Sequence, residues 1–416
     1  MKRESTMTRK GWDLEKDLAS IRKEFPILER CVYLISNSLG AVPRQSSDNL
    51  QKFYRLWAEE GVGAWGKKWW DISRQVGNEV ASLIGAKDDE ITMLTNATIA
   101  HWVALSTKFL SKDRKRNRIV MTDMDFPSEI YAVTEIASFM DWELKIVKSY
   151  DQIGIDVNDI LKEMDDRTLF VATSHVYFKS GYVQNIPKVT AKARDIGALT
   201  LIDGYHAPGT LPVDVKKLDV DFYVGGCLKW LCGGPGNAFL YVRPDIASSL
   251  KPRLTGWFAH HNPFLFTQKM EYTDDSYRYM AGTPSISSLY TVLPGLDIIK
   301  KIGVHQIRKK SLNQTSALIK EARQRGFPFF TPEEKDLRGG AVSINLPHAF
   351  AVKQVLEKRK IIIDFRKGLN EELDVIRVGP HFYTEDTEIE ILFKEIDDIL
   401  QKGEFKKYSQ KINHVT

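Results

Sequence analysis

Cysteine is scarce. Cys31, Cys227 and Cys232 are the only three in 416 residues, an odd and sparse set that excludes a disulfide framework and a four-thiolate zinc site. A reducing compartment is the expectation. Long apolar runs are also missing: no window approaches the roughly 18 consecutive apolar residues that span a bilayer. The amino terminus has no apolar core of the secretory kind, so a soluble, cytoplasmic protein is expected. Basic charge is confined to the ends. Of the net +5, residues 1–10 carry +3 and the stretch from Lys402 onward another +3, which leaves −1 for everything between. A nucleic-acid groove needs Lys and Arg along one folded face, so neither nucleic acid nor membrane is an expected partner. Repeats of 20 to 50 residues and low-complexity tracts are absent, which excludes solenoids and propellers. No His-Glu-x-x-His or Cys-x-x-Cys spacing accompanies the pair His260-His261, so no metal is expected. The segment from Gly61 to Lys68 has the spacing of a phosphate-binding loop but lacks its final Ser/Thr and follows a helical run.

What is present suffices for large cores. The chain is 43% hydrophobic, and its length favours two lobes over one. A short helix, the apolar run Val32 to Ile35 and a turn at Ser36-Asn37-Ser38-Leu39-Gly40 come first. Helical spacing holds from Ser46 to about Ile84. Short strands then alternate with helices to about Val242. Among them Ile119 to Met121, Thr168 to Ala172, Leu199 to Ile202 and Phe222 to Val224 are apolar nearly throughout, which signals burial on both faces and a mainly parallel sheet in a doubly wound α/β domain. After Leu293 a long helical stretch precedes strand Ala341 to Leu346, a helix from about Ala349, strands Ile361 to Phe365 and Val375 to Val378, and a closing helix. That last helix aligns Ile389, Leu392, Phe393, Ile396, Ile399 and Leu400 on one face. The resulting division is an N-terminal segment, 1–45, packing with the small domain; a large α/β domain, 46–295; and a small α+β domain, 296–416.

In open α/β sheets ligands sit beyond the carboxyl ends of the strands. There the sequence places Asp203 and His206 after Leu199 to Ile202, Lys229 in the glycine-flanked stretch Gly225 to Gly236, and Phe126-Pro127-Ser128-Glu129 after Ile119 to Met121. A lysine among apolar residues loses ammonium hydration, its pKa falls, and the neutral amine can add to an aldehyde. A carboxylate beside a pyridine nitrogen keeps that ring protonated and electron-withdrawing. On spacing alone, Asp203 as a helix cap and Lys229 as a snorkelling surface residue remain equally open.

Asp203-Gly204-Tyr205-His206 and Gly226-Cys227-Leu228-Lys229-Trp230-Leu231-Cys232-Gly233-Gly234-Pro235-Gly236 resemble two blocks of the fold-type I, class V pyridoxal-phosphate enzymes. The likeness is to the kynureninase-like members. Ser36 to Gly40, Gly256-Trp257-Phe258, Asn262-Pro263-Phe264, Gly282-Thr283-Pro284 and Arg377-Val378-Gly379-Pro380 continue it in order from about residue 30 to 385. The resemblance implies the fold-type I transferase fold, with pyridoxal 5'-phosphate attached to Lys229 as the catalytic residue. Asp203 then meets the ring nitrogen with His206 beside it, and Phe126 stacks on the ring. Ala97, Thr98, Trp257 and Thr283 contact the phosphate, Thr283 from the second subunit of a homodimer with shared sites. Arg377 holds the carboxylate of an amino-acid substrate, a group that a guanidinium fork suits, and Asn37 and Ser38 join it.

Two positions depart from the family pattern. Leu228 stands where a tyrosine usually precedes the lysine and serves as a proposed proton donor to the departing product. That proton must then come from elsewhere. Glu129 stands where aspartate is usual, and its extra methylene is expected to shift contacts near the cofactor's phenolic oxygen. The implied activity is hydrolysis of the β–γ carbon bond of kynurenine, 3-hydroxykynurenine or a related γ-oxo amino acid, the chemistry of tryptophan catabolism. A carbon–sulfur lyase or aminotransferase on the same Lys229 and Asp203 is the first alternative. A protein that binds the cofactor without catalysis is the second.

Overall fold

The computed structural model describes residues 11–408 apart from 112, 114 and 369–373. The basic ends counted above, residues 1–10 and Lys411, lie outside the described residues. The first helix, Leu14–Lys23, is capped by the Asp13 carboxylate, which accepts from the amides of Glu15 and Lys16. Strand β1 (Val32–Tyr33) follows. The helical spacing from Ser46 to Ile84 resolves into two helices, Gln45–Glu60 and Trp70–Ile84, joined by a tight turn and one wide turn at Trp65–Trp69. The break coincides with Gly61, whose φ of +54° suits glycine.

The large sheet contains β2 (Ile91–Leu94), β3 (Arg118–Thr122), β4 (Glu143–Val147), β5 (Thr168–Ser174), β6 (Leu199–Asp203), β7 (Phe222–Gly226) and β8 (Ala238–Val242). Their order is β2-β8-β7-β6-β5-β3-β4. Only β8 runs against the rest. Alternation along each strand feeds two cores. Ile119, Met121, Phe170, Ala172, Leu201, Phe222 and Val224 meet the helices Ala97–Ser106 and Pro127–Met140 on one face. Val120 and Val171, with Ile202 and Tyr223, meet helices on the other. Burial on both faces is why these strands read as continuous apolar runs.

The smaller lobe follows helices Ile286–Ile302 and Val304–Gln324, which part at Gly303. The first begins at Ile286, ahead of Leu293, and carries Pro294 inside it. Next come β9 (Val342–Ile344), the helix Ala349–Lys358, β10 (Ile361–Ile362), β11 (Asp364–Arg366), β12 (Val375–Val378) and the helix Asp386–Lys402. The single strand expected over Ile361 to Phe365 is two: β10 pairs in parallel with β1, whereas β11 joins β12 and β9 in an antiparallel sheet. On the last helix Ile389, Leu392, Phe393, Ile396 and Ile399 are buried and Leu400 only partly so. The N-terminal segment packs on this lobe through β1 and through Arg22, whose guanidinium grips Glu388 at 2.8 and 3.1 Å. Among the described residues no helix is long and apolar enough to cross a membrane.

Candidate active site

The carboxyl ends of β3, β5, β6 and β7, with the helix start after β2, surround a cavity of about 200 Å³. This is the edge at which an open α/β sheet binds its ligand. Asp125 braces that edge from beneath. Its carboxylate accepts from Thr122 N at 2.9 Å and Ser174 N at 2.6 Å, which ties the end of β3 to the end of β5. Burial still pushes its pKa up to about 6, because those hydrogen bonds only partly offset desolvation.

Lys229 enters the cavity from the loop after β7. Its Nζ donates to His206 Nε2 at 2.7 Å. Loss of hydration, with Arg377 and Arg366 nearby, lowers the ammonium pKa to about 7 against the opposing pull of Asp203. Burial and the charge on Lys229 drive His206 well below its ordinary value, so its imidazole is neutral. The lysine loop is packed tightly against the N-terminal turn. Gly40 N donates to Leu228 O at 3.0 Å, and a Cβ on Gly40 would lie 2.0 Å from the Lys229 carbonyl oxygen. That approach explains a glycine at the end of Ser36 to Gly40.

Two aromatic walls flank the amine. Lys229 Nζ lies 5.4 Å from the Phe126 ring centroid and 4.7 Å from that of Tyr205. Phe126, 38% exposed, is propped edge-on by Phe178 at 5.2 Å. At the far end Asp203 is fixed by Tyr205 N, which donates to its Oδ1 at 2.7 Å. Beside it Glu129 sits 3.3 Å from His101 Nε2, both buried. One ligand atom from each of His101, Glu129 and Asp203 falls within 4.8 Å of the others. Burial pushes the Glu129 pKa up, and the pull of the Glu129 carboxylate raises His101 against its own desolvation. Both Glu129 oxygens lack an aligned hydrogen bond among the described residues.

Above them begins the helix Ala97–Ser106. Asn96 caps it by accepting from Ile99 N at 2.9 Å, and the amides of its first turn have no helix carbonyl to bond. Ala97 and Thr98 therefore offer donors to an anion at the positive end of the helix dipole.

The cavity thus gathers Ala97, Thr98, Phe126, Glu129, Asp203, His206 and Lys229. Five expected residues are not on its wall. Buried Arg377 pairs with buried Asp364 and donates to the Phe178 carbonyl oxygen. Asn37 Nδ2 contacts Asp364 at 3.4 Å, and Ser38 lies in the adjoining turn. Trp257 packs among Trp65, Trp70, Phe258 and Phe264, and Thr283 is exposed. His101, Tyr205, Ser174, Val176 and Phe178 went unforeseen. The last three end or follow β5 and answer to the strand-end rule that found Asp203. His101 lies one helical turn after Ala97, to whose carbonyl its Nδ1 is bound at 2.8 Å.

The aminotransferase class-V family model matches residues 32–392. The chain belongs to the class-V aminotransferase family. It is a kynureninase-like, pyridoxal-phosphate-dependent member. It is 30% identical over 415 residues to a kynureninase of Pseudomonas fluorescens, covering 97% of each chain. A kynureninase of Burkholderia pseudomallei is 33% identical over 367 residues, covering 85% of this chain and 86% of that one. Among solved structures, an apo cysteine desulfurase from Thermococcus onnurineus NA1 superposes with a TM-score of 0.80 at 22% identity over 92% of this chain and 98% of that one. A cystine C-S lyase in complex with cysteine persulfide gives 0.79 at 21% identity over 90% and 99%.

The residues fit the class-V cofactor. A slot between two aromatic rings ends in Asp203 and in Glu129, whose oxygens lack an aligned hydrogen bond, the side wall carries a neutral-prone amine, and free helix amides face the mouth. Glu129 stands beside Asp203. Its register on the helix Pro127–Met140 turns the longer side chain toward His101.

Proposed function

We propose that this chain is a hydrolase of the kynureninase type. It cleaves the β–γ carbon bond of kynurenine, 3-hydroxykynurenine or a related γ-oxo amino acid, giving an aromatic acid and alanine. One observation carries the reading: Lys229 and Asp203 share one cavity, with the amine depressed toward neutrality, in a chain matched from end to end by kynureninases. Bound there, pyridoxal phosphate supplies an aldehyde for amine capture and a ring that withdraws electrons from the substrate. Asp203 and Glu129 hold the ring nitrogen end, Phe126 and Tyr205 the faces, and Ala97 and Thr98 the phosphate. Lys229 Nζ takes the substrate α-proton, which its lowered pKa permits near neutral pH, and His206 Nε2 orients it. Arg377 takes the α-carboxylate by yielding part of its pairing with Asp364, with Asn37 and Ser38 alongside.

Trp257 and Thr283 lie away from the cavity of their own chain and complete a neighbour's in a homodimer. Exposed Phe264, Leu265 and Phe266, close behind Trp257 in sequence, favour coverage by a second copy.

The second reading, a carbon–sulfur lyase, is favoured by the solved structures of like fold. The variety that uses a cysteine nucleophile is disfavoured, because Cys227 and Cys232 are buried, desolvation pushes the Cys227 thiol up to about 12, and half-buried Cys31, also raised by burial, donates to Ile27 O off the cavity wall. Incubating the holoenzyme with kynurenine, 3-hydroxykynurenine and cysteine while following aromatic acid, alanine and sulfide decides between them. Aromatic acid with equimolar alanine is expected, whereas sulfide alone would replace the reading. Lys229→Ala is expected to lose both the visible absorption of the attached cofactor and turnover.

A further inference from the structure

Cleaving the β–γ bond leaves an electron pair on the substrate's β-carbon, and that carbon must gain a proton. Leu228 lines the cavity immediately before Lys229 and has none to give. The other lining groups can be sorted by acidity. Thr98, Ser128 and Ser174 carry alkyl hydroxyls, which are very weak acids. His101 and Glu129 are paired with each other at the Asp203 end. Lys229 Nζ is committed to the α-proton, and His206 Nε2 is occupied by that amine. Among the described lining residues one phenol remains, that of Tyr205.

Its placement is specific. Tyr205 N is held by Asp203 Oδ1, and Lys229 Nζ lies over its ring at 4.7 Å. The ring lies flat on Gly226, where a Cβ would come within 2.2 Å of Cε2 and 2.5 Å of the hydroxyl oxygen. Any larger residue there would expel the phenol from this slot. Gly226 is two residues before Leu228 on the stretch that leads from β7 to Lys229. Ring and backbone are fixed at three points, yet no hydrogen bond to a described residue engages the hydroxyl. Burial raises the phenol's pKa, so the proton is in place throughout the neutral range.

We propose that Tyr205 is a catalytic residue, the acid that protonates the β-carbon after carbon–carbon cleavage. The step balances. The Tyr205 O–H bond breaks, a C–H bond forms at the β-carbon, and the phenolate recovers the proton released by the water whose oxygen has bonded to the γ-carbon. One hydrogen of that water ends on the alanine methyl group, and its oxygen leaves in the aromatic acid. The inference rests on the hydrolase reading.

The test uses holoenzyme with kynurenine in deuterated water, comparing wild type, Tyr205→Phe, Leu228→Tyr and the double variant. Tyr205→Phe keeps the ring, so the melting temperature and the visible absorption of the attached cofactor should stay as in wild type. Exchange of the substrate α-proton should persist within about 3-fold while aromatic acid release falls about 100-fold or more, the scale of a lost general acid. Adding Leu228→Tyr to Tyr205→Phe should recover at least ten-fold, because a phenol then enters the same corner from the neighbouring backbone. Tyr205→Phe that releases product at near the wild-type rate overturns the inference, as does a parallel fall of exchange and release. If Tyr205→Phe does not fold, a fluorinated tyrosine at position 205 decides: its more acidic phenol should move the alkaline limb of the release pH profile with exchange unchanged, and an unmoved limb overturns the inference. Wild-type protein that yields no aromatic acid overturns the hydrolase reading and the inference with it; wild-type turnover beside an unimpaired Tyr205→Phe overturns the inference alone.

Discussion

Lys229 and His206 face each other in a setting that penalises positive charge. Because the native lysine releases its proton at about 7 and an unfolded one near 10.5, the unfolded chain binds more protons between these limits. Stability of the cofactor-free protein therefore rises with pH across that window, and below about 7 the penalty for burying the ammonium is fully present. Lys229→Met should accordingly be more stable than wild type at pH 6, on the order of 2–4 kcal/mol, with the difference closing toward pH 10. Urea melts at both ends of the range check this, and a pH-independent difference would contradict it. The same amine sets the rate of cofactor capture. Mixing cofactor-free protein with pyridoxal phosphate should give an association rate that climbs with pH through a midpoint near 7. A midpoint near that of an ordinary lysine would show that the amine is not desolvated.

Among the elements, loops at strand ends carry the chemistry, and glycines decide how closely they approach. Gly40→Ala places a methyl group against the Lys229 carbonyl. It should cost roughly 1–3 kcal/mol, as overpacking does, and weaken cofactor binding, which thermal melts and a spectral titration would report together. The apolar runs ending at Met121, Ala172, Ile202 and Val224 were legible in the sequence because both faces of each strand are buried, and the segments after three of them, which carry Phe126, Asp203 and Lys229, pointed at the cavity. Edge strand β4 was not legible, since its residues are half-buried and polar alternates with apolar. The β10–β11 split escaped because one apolar run serves two sheets. His101 and Tyr205 escaped for another reason. A histidine on a helix and a tyrosine in a loop gain meaning only from what folds against them, here Glu129 and Gly226.

On the scale of the whole molecule, the proposed homodimer has a sharp consequence. If Thr283 serves the partner's phosphate site, Lys229→Ala and Thr283→Ala chains, each impaired alone, should regain on mixing about one quarter of wild-type activity, since random pairing makes half the dimers mixed and each restores one site of two. Activity no greater than the separate chains would exclude shared sites. Within one chain the lobes are laced close to the lysine. Tyr383 of the small lobe bonds through its hydroxyl to Ser36 Oγ at 2.6 Å and Ala41 N at 3.1 Å, and His381 Nε2 to Trp230 O at 2.8 Å. Trp230 directly follows Lys229, and Arg377 lies on the strand that leads to His381. On the proposed reading, carboxylate clamp and reactive amine are mounted on one short truss that sets the span from a ligand's acid group to its amine, so α-amino acids should perturb the cofactor's visible absorption and homologues one carbon longer should not.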